Sequence, residues 1–159
     1  MLETTGSRKW GGTPERLVGP LAGPVLTFSL SDELDLLHQE LEWQSFGRNS
    51  KTLVKQPDLR VVLSVLRQGV HIAEHTTRAR ICVHTLSGHV RMHAGGSVFD
   101  LPQGHLVALD WGMPRYIEAV EDSAFLLTLT WDEAASHRVA PPFTARRAAG
   151  EHERQRGGQ

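Results

Sequence analysis

The sequence predicts an all-β protein, an antiparallel sandwich or barrel preceded by one N-terminal helix. Three observations carry this expectation. From Ser50 onward apolar residues alternate with polar ones or gather in short β-branched runs, as in Leu59-Arg60-Val61-Val62-Leu63-Ser64-Val65-Leu66. Gly69, Gly88, Gly104 and Gly112 close successive runs, the punctuation of short strands joined by turns. The intervals leave no room for crossover helices, so the strands must pair antiparallel.

The leading helix is expected over about 31–44. Ser31 can cap it, and Asp32 and Glu33 favour the positive end of its dipole. Leu34, Leu37 and Leu41 then recur at helical spacing, a one-sided apolar stripe that runs to about Trp43, and Gly47 is a natural stop. Such a helix would pack on the outside of the body that follows. Strands are expected over 52–54, 59–66, 79–86, 90–93, 98–101, 106–109, 116–120 and 124–131. Ala94-Gly95-Gly96-Ser97 has the chemistry of a tight hairpin.

The two ends read differently. Residues 1–25 are rich in Gly, Pro and Thr, with Gly-Pro steps at 19–20 and 23–24, and residues 141–159 end in a polar tail. Neither repays its ordering entropy alone, so both are expected as flexible arms around a domain over 26–140.

The 159 residues suffice for one domain, and with 40% of them hydrophobic a core can form. Seventeen basic and 18 acidic residues give a net charge of −1, which argues against nucleic acid or an anionic membrane as partner. No helix-turn-helix offers a reading head for DNA. The basic residues are mostly arginine, Lys9, Lys51 and Lys55 being the lysines. A lone cysteine, Cys82, excludes an intramolecular disulfide and a thiolate-rich metal centre. The first residues lack an apolar h-region and no apolar run reaches spanning length, so the expectation is a soluble protein of a reducing cytoplasm.

Nine histidines are unusual: His38, His71, His75, His84, His89, His93, His105, His137 and His152. Scatter does not make a metal site, because ligands must converge. His71-Ile72-Ala73-Glu74-His75 spells H-x-x-E-H, a zinc pattern of inverted metalloproteases. That pattern needs a helix. This segment follows a β-branched run and contains no helix signal, and in a strand its two histidines stand more than about ten ångströms apart.

The stretch from Gly69 to about Leu129 resembles the cupin family. Its members carry a first motif, G-x5-H-x-H-x(3,4)-E-x6-G, and a second, G-x5-P-x-G-x2-H-x3-N. Here Gly69, His75 and Gly88 fit the first, and Gly104 with Asp110-Trp111-Gly112 stands in the frame of the second. The resemblance, over some sixty residues, implies a jelly-roll or double-stranded β-helix barrel of the small single-domain type. It also implies a metal held by three histidines and a carboxylate. At those positions stand His75, Thr77, Ile81 and Arg115. Only His75 is a retained ligand; isoleucine has no donor atom and a guanidinium repels a divalent metal. No bound metal is therefore expected.

By strand alternation Ile81, Val83 and Thr85 face inward with Val90 and Met92, and Cys82, His84, His89, Arg91 and His93 face outward. The pocket implied by the resemblance is then lined by His75, Thr77, Ile81, Val83, Arg115 and Trp111, with Met92 as a further candidate. An arginine among apolar walls suits a carboxylate or phosphate; it is equally able to reach solvent or to pair with Glu74 or Glu118. Three functions compete. The first is a metal-free, non-catalytic or sensory protein for a small anionic or carboxylate-bearing ligand. The second is a metal-independent isomerase or epimerase using His75 with Tyr116 or Arg115. A metal-dependent oxygenase or isomerase is third. A homodimer is expected, paired through a sheet face with outward Cys82 and His84, or through a strand around Leu53 crossing over.

Overall fold

The computed structural model describes residues 23–75 and 77–131 and, as backbone, the strands β1 (Ser7–Trp10) and β2 (Thr13–Arg16); for Glu74 and His75 it describes the backbone alone. β1 and β2 pair antiparallel with each other, inside the segment expected as a loose arm. The tail over 141–159 lies outside the described residues.

Two helices precede the barrel, α1 (Leu30–Gln39) and α2 (Leu41–Phe46), and Gly47 ends the second in a left-handed conformation at φ 63° with its N–H on the Trp43 carbonyl. The single helix expected over about 31–44 is thus interrupted at Glu40, whose backbone is extended. The cause lies elsewhere in the sequence. Asn49, buried on β3, donates its amide to the Leu37 carbonyl at 3.0 Å and to Glu40 Oε2 at 2.8 Å, so a side chain satisfies a carbonyl at the end of α1. The N-cap is Ser29, not Ser31. Leu30 begins the helix because it packs into the apolar cluster beneath it.

The barrel strands are β3 (Arg48–Lys55), β4 (Leu59–Leu66), β5 (His71–His75), β6 (Arg80–Ser87), β7 (His89–Ala94), β8 (Ser97–Pro102), β9 (Leu106–Leu109), β10 (Arg115–Ala119) and β11 (Ser123–Thr130). They form two antiparallel sheets, β3-β4-β11-β6-β9 and β5-β10-β7-β8. From β4 onward the chain changes sheet at every connection except the β7–β8 hairpin, which is the path of a jelly roll and fulfils the expected all-β antiparallel class. β5 was not among the expected strands. β3 pairs with β4, and Leu53 is buried beneath the helices.

Alternation decides what each strand buries. Ile81, Val83 and Thr85 of β6, Val90 and Met92 of β7, and Phe125 and Leu129 of β11 point between the sheets. Thr85, fully buried, donates its hydroxyl to the Leu101 carbonyl at 2.9 Å, so its polarity is spent locally. The β6–β7 turn passes from one sheet to the other at Gly88, φ 75°, where a Cβ would stand 2.2 Å from the Asp122 carbonyl oxygen. Only glycine fits there. On the other side of the five-stranded sheet, Leu63, Val65 and Ala124 pack with Leu37 of α1, Leu53, Phe28, Leu34 and Trp43. The helix lies outside the barrel, as its stripe required. No helix among the described residues is long and apolar enough to cross a membrane.

Candidate functional site at one end of the barrel

The β5–β6 and β9–β10 connections meet at one end of the barrel, where the Gly112 N–H donates to the Thr77 carbonyl at 2.9 Å. β10 begins there. Arg115, Ile117 and Ala119 are its buried residues, and the last two belong to the interior cluster, so Arg115 occupies an inward register position. Its cross-strand neighbours are Ala94 on β7 and His75 on β5. The β5 register slips between these pairs: Ile117 lies opposite Ile72, and Arg115 opposite His75, with two residues of β5 facing one of β10.

Arg115 is 8% exposed, and burial holds its guanidinium below the usual arginine range, although it stays cationic. One of its nitrogens, Nη1, donates to the Met113 carbonyl at 3.5 Å. Glu118 is not its partner. That carboxylate projects from the opposite face of β10, where Arg91 and His93 hold it. The side chains of Glu74 and His75 lie outside the described residues.

The other expected lining residues are placed as follows. Ile81 and Val83 are 2% and 0% exposed within the interior cluster. Thr77 is half-buried, and its hydroxyl accepts the Ala79 N–H at 3.2 Å. Trp111 is half-buried at the β9–β10 connection, and it is Met113 that packs against the interior cluster. Period-two counting back from Arg115 would have found Met113. The same counting forward sends Tyr116 outward, and there it lies, stacked on His93 with ring centroids 4.0 Å apart. Tyr116 is therefore no acid–base partner for a group inside the barrel.

At positions that the resemblance assigns to metal ligands, Ile81 presents hydrocarbon inside an apolar cluster and Arg115 a cation. Among the described residues no three His, Cys, Asp or Glu side chains stand close enough to share an ion. The H-x-x-E-H segment is strand β5, not a helix, as expected.

The outward histidines of β7 are engaged in a charged ladder that sequence reading did not foresee. His89 Nε2 and Arg91 Nε reach Asp100 Oδ1 at 3.1 and 3.0 Å, and Arg91 Nη1 and His93 Nε2 reach Glu118 Oε1 at 3.3 and 2.9 Å. Hydrogen bonding from Arg91, then His89, lowers the Asp100 pKa; that from His93, then Arg91, lowers the Glu118 pKa.

No family model matches the sequence, and no curated protein matches it. Solved structures do. A conserved Streptococcus pyogenes protein of unknown function superposes with TM-score 0.52 at 27% identity, covering 54% of this chain and 75% of that one. A cupin superfamily protein from Desulfitobacterium hafniense gives 0.52 at 14% identity, over 54% of this chain and 78% of that one. Salicylate 1,2-dioxygenase from Pseudoaminobacter salicylatoxidans, as its gentisate adduct, gives 0.62 at 15% identity, over 71% of this chain and 35% of that one. This chain thus spans about a third of the dioxygenase.

Proposed function

We propose that this chain, which has the cupin fold, is a metal-free, non-catalytic binding or sensory protein for a small anionic or carboxylate-bearing ligand. The observation that carries the reading is Arg115, a buried guanidinium on an inward register position at the end of an apolar barrel. A guanidinium carries five N–H donors in a fork whose geometry matches a carboxylate or phosphate, and a desolvated site strengthens such a pairing. An isomerase or epimerase, the alternative reading, would use His75 with Arg115, which stand opposite each other on β5 and β10, rather than Tyr116. We further propose a cytoplasmic homodimer that pairs through the outer face of β6, where Cys82 and His84 are half-buried.

The experiment is calorimetric titration of the full chain with small carboxylates and inorganic phosphate. At least one is expected to bind once per chain, and Arg115→Ala should weaken it tenfold or more, with Arg115→Lys intermediate because it loses the fork. Unchanged affinity in Arg115→Ala would sink the reading. Metal analysis of untagged protein should find far less than one ion per chain. The triple variant Thr77→His, Ile81→Glu, Arg115→His should gain affinity for nickel or copper over manganese. A parent that binds metal as tightly as this variant has its ligands elsewhere. Light scattering should give twice the 17.6 kDa chain mass.

A further inference from the structure

The β7–β8 hairpin and the start of β10 border a recess of about 330 Å³, at the small end of the range for small-molecule sites. One wall is a pair of rings that the Arg115 reading does not use. His93 and Tyr116 occupy directly paired positions on β7 and β10, and their planes are 10° apart. Glu118 holds the imidazole by Nε2, which fixes the pair in place. Val98, Pro114 and the turn Gly95-Gly96 supply other walls. Both turn glycines have positive φ, 57° and 77°, in a two-residue connection between the paired Ala94 and Ser97. That is a type I′ turn, in which asparagine at the first position holds the same backbone at a smaller entropic cost. Glycine there leaves the wall without a side chain, and a Cβ on Gly96 would meet nothing within 4 Å.

We infer that this recess is a ligand site for an uncharged planar aromatic molecule of one or two rings. Its walls are flat: two stacked rings, a proline ring and the bare peptide planes of the turn. A plate laid against them buries apolar area and gains offset or edge contact with the aromatic pair. A flexible chain would lose rotamer freedom for the same contact, which a rigid ring does not. The ionic groups of the region are already engaged with the protein. His93 and Arg91 share Glu118, and Arg115, at an inward register position, donates to the Met113 carbonyl. Among the described residues no carboxylate lines the recess. An ionised ligand would therefore shed water without a counter-charge to receive it, whereas an uncharged ring loses no such hydration. Ser97 and Tyr116 bring hydroxyls to the lining, enough to orient one polar atom on the ring edge.

Tyr116 is the single tyrosine of the chain, so replacing tyrosine with fluorotyrosine gives one fluorine NMR reporter inside the recess. Titration of the full chain with naphthol is expected to shift this resonance saturably. Decahydronaphthol, the same fused skeleton without flatness, should leave it in place, and naphthoate should bind more weakly than naphthol. His93→Ala should weaken the naphthol effect tenfold or more, and His93→Phe, which keeps a flat ring, should recover most of it. Gly95→Asn should keep the hairpin and the melting midpoint, yet weaken naphthol tenfold or more by filling the bare wall. A resonance that does not move up to millimolar naphthol, that moves alike for naphthol and its saturated analogue, or that responds unchanged in His93→Ala overturns the inference. So does a tighter response to naphthoate, which would assign the recess to an anion. Unchanged naphthol affinity in a Gly95→Asn chain that melts like the parent overturns it as well.

Discussion

The two sheets turn opposite kinds of surface outward. The outer face of the five-stranded sheet carries Leu63, Val65 and Ala124 and is roofed there by α1 through Leu37 and Leu34. The outer face of the four-stranded sheet carries His89, Arg91, His93, Asp100 and Glu118 and needs no roof, because its charges satisfy one another across strands. Both faces obey the same period of two. The side chains at the outward positions, not the sheet geometry, determine which face requires a covering element. Apolar burial then stabilises one face strongly, whereas the exposed ladder on the other contributes orientation more than free energy.

The largest expected difference comes from Leu63→Ala, which removes a fully buried side chain beneath the helix. It should cost about 3 kcal/mol in urea unfolding. A loss below about 1 kcal/mol would mean that the helix is held by something other than this contact. Next comes Asn49→Ala, which leaves the Leu37 carbonyl without its side-chain donor. It should cost about 1–2 kcal/mol, and amide exchange should quicken at the α1–α2 junction more than in the sheets. Exchange that quickens evenly would assign Asn49 to the barrel instead of the helix pair.

The smallest effect belongs to the ladder. Asp100 and Glu118 have folded-state pKa values below their unfolded ones. Their contribution is therefore present above the ordinary carboxylate pKa of about 4 and is lost as pH falls through the depressed values. The melting midpoint should decline into the acid range, and the double variant Asp100→Asn, Glu118→Gln should show a flatter decline. At neutral pH the same variant should melt only slightly below the parent. A large neutral-pH loss would break the comparison by making the ladder a structural necessity.

How much of this was legible in sequence depends on whether a feature is local. The strands β6, β7 and β11 were readable because their alternation and flanking glycines are local signals, and inward Ile81, Val83, Val90 and Met92 follow from the same count. The inward place of Arg115 was readable too, but only through the glycine frame of the resemblance. β5 was missed because its five residues, His-Ile-Ala-Glu-His, hold one large apolar side chain and no clean period. The break at Glu40 was hidden because its cause, Asn49, is tertiary. The pairing of His93 with Glu118 and Tyr116 joins strands separated by more than twenty residues, and no spacing within β7 announces it. Trp111 was chosen for the pocket by its motif position, whereas parity from Arg115 favours Met113.

The place of β11 in the five-stranded sheet has a consequence for the order in which the chain can assemble. It is the latest in sequence of the described strands, yet it lies at the centre of its sheet, between β4 and β6. Before Ser123–Thr130 leaves the ribosome, β3-β4 and β6-β9 can exist only as separate pairs with open edges, and the helix lacks the Ala124 part of its platform. Thr130 pairs with Leu59 and Arg80, so closure spans some seventy residues of chain on one side and fifty on the other. Contacts this distant are slow to form, since loop closure is costly before it is rewarded. The nascent barrel is thus kept open until its central strand arrives, and its exposed strand edges are then at their most vulnerable to pairing with a neighbouring chain.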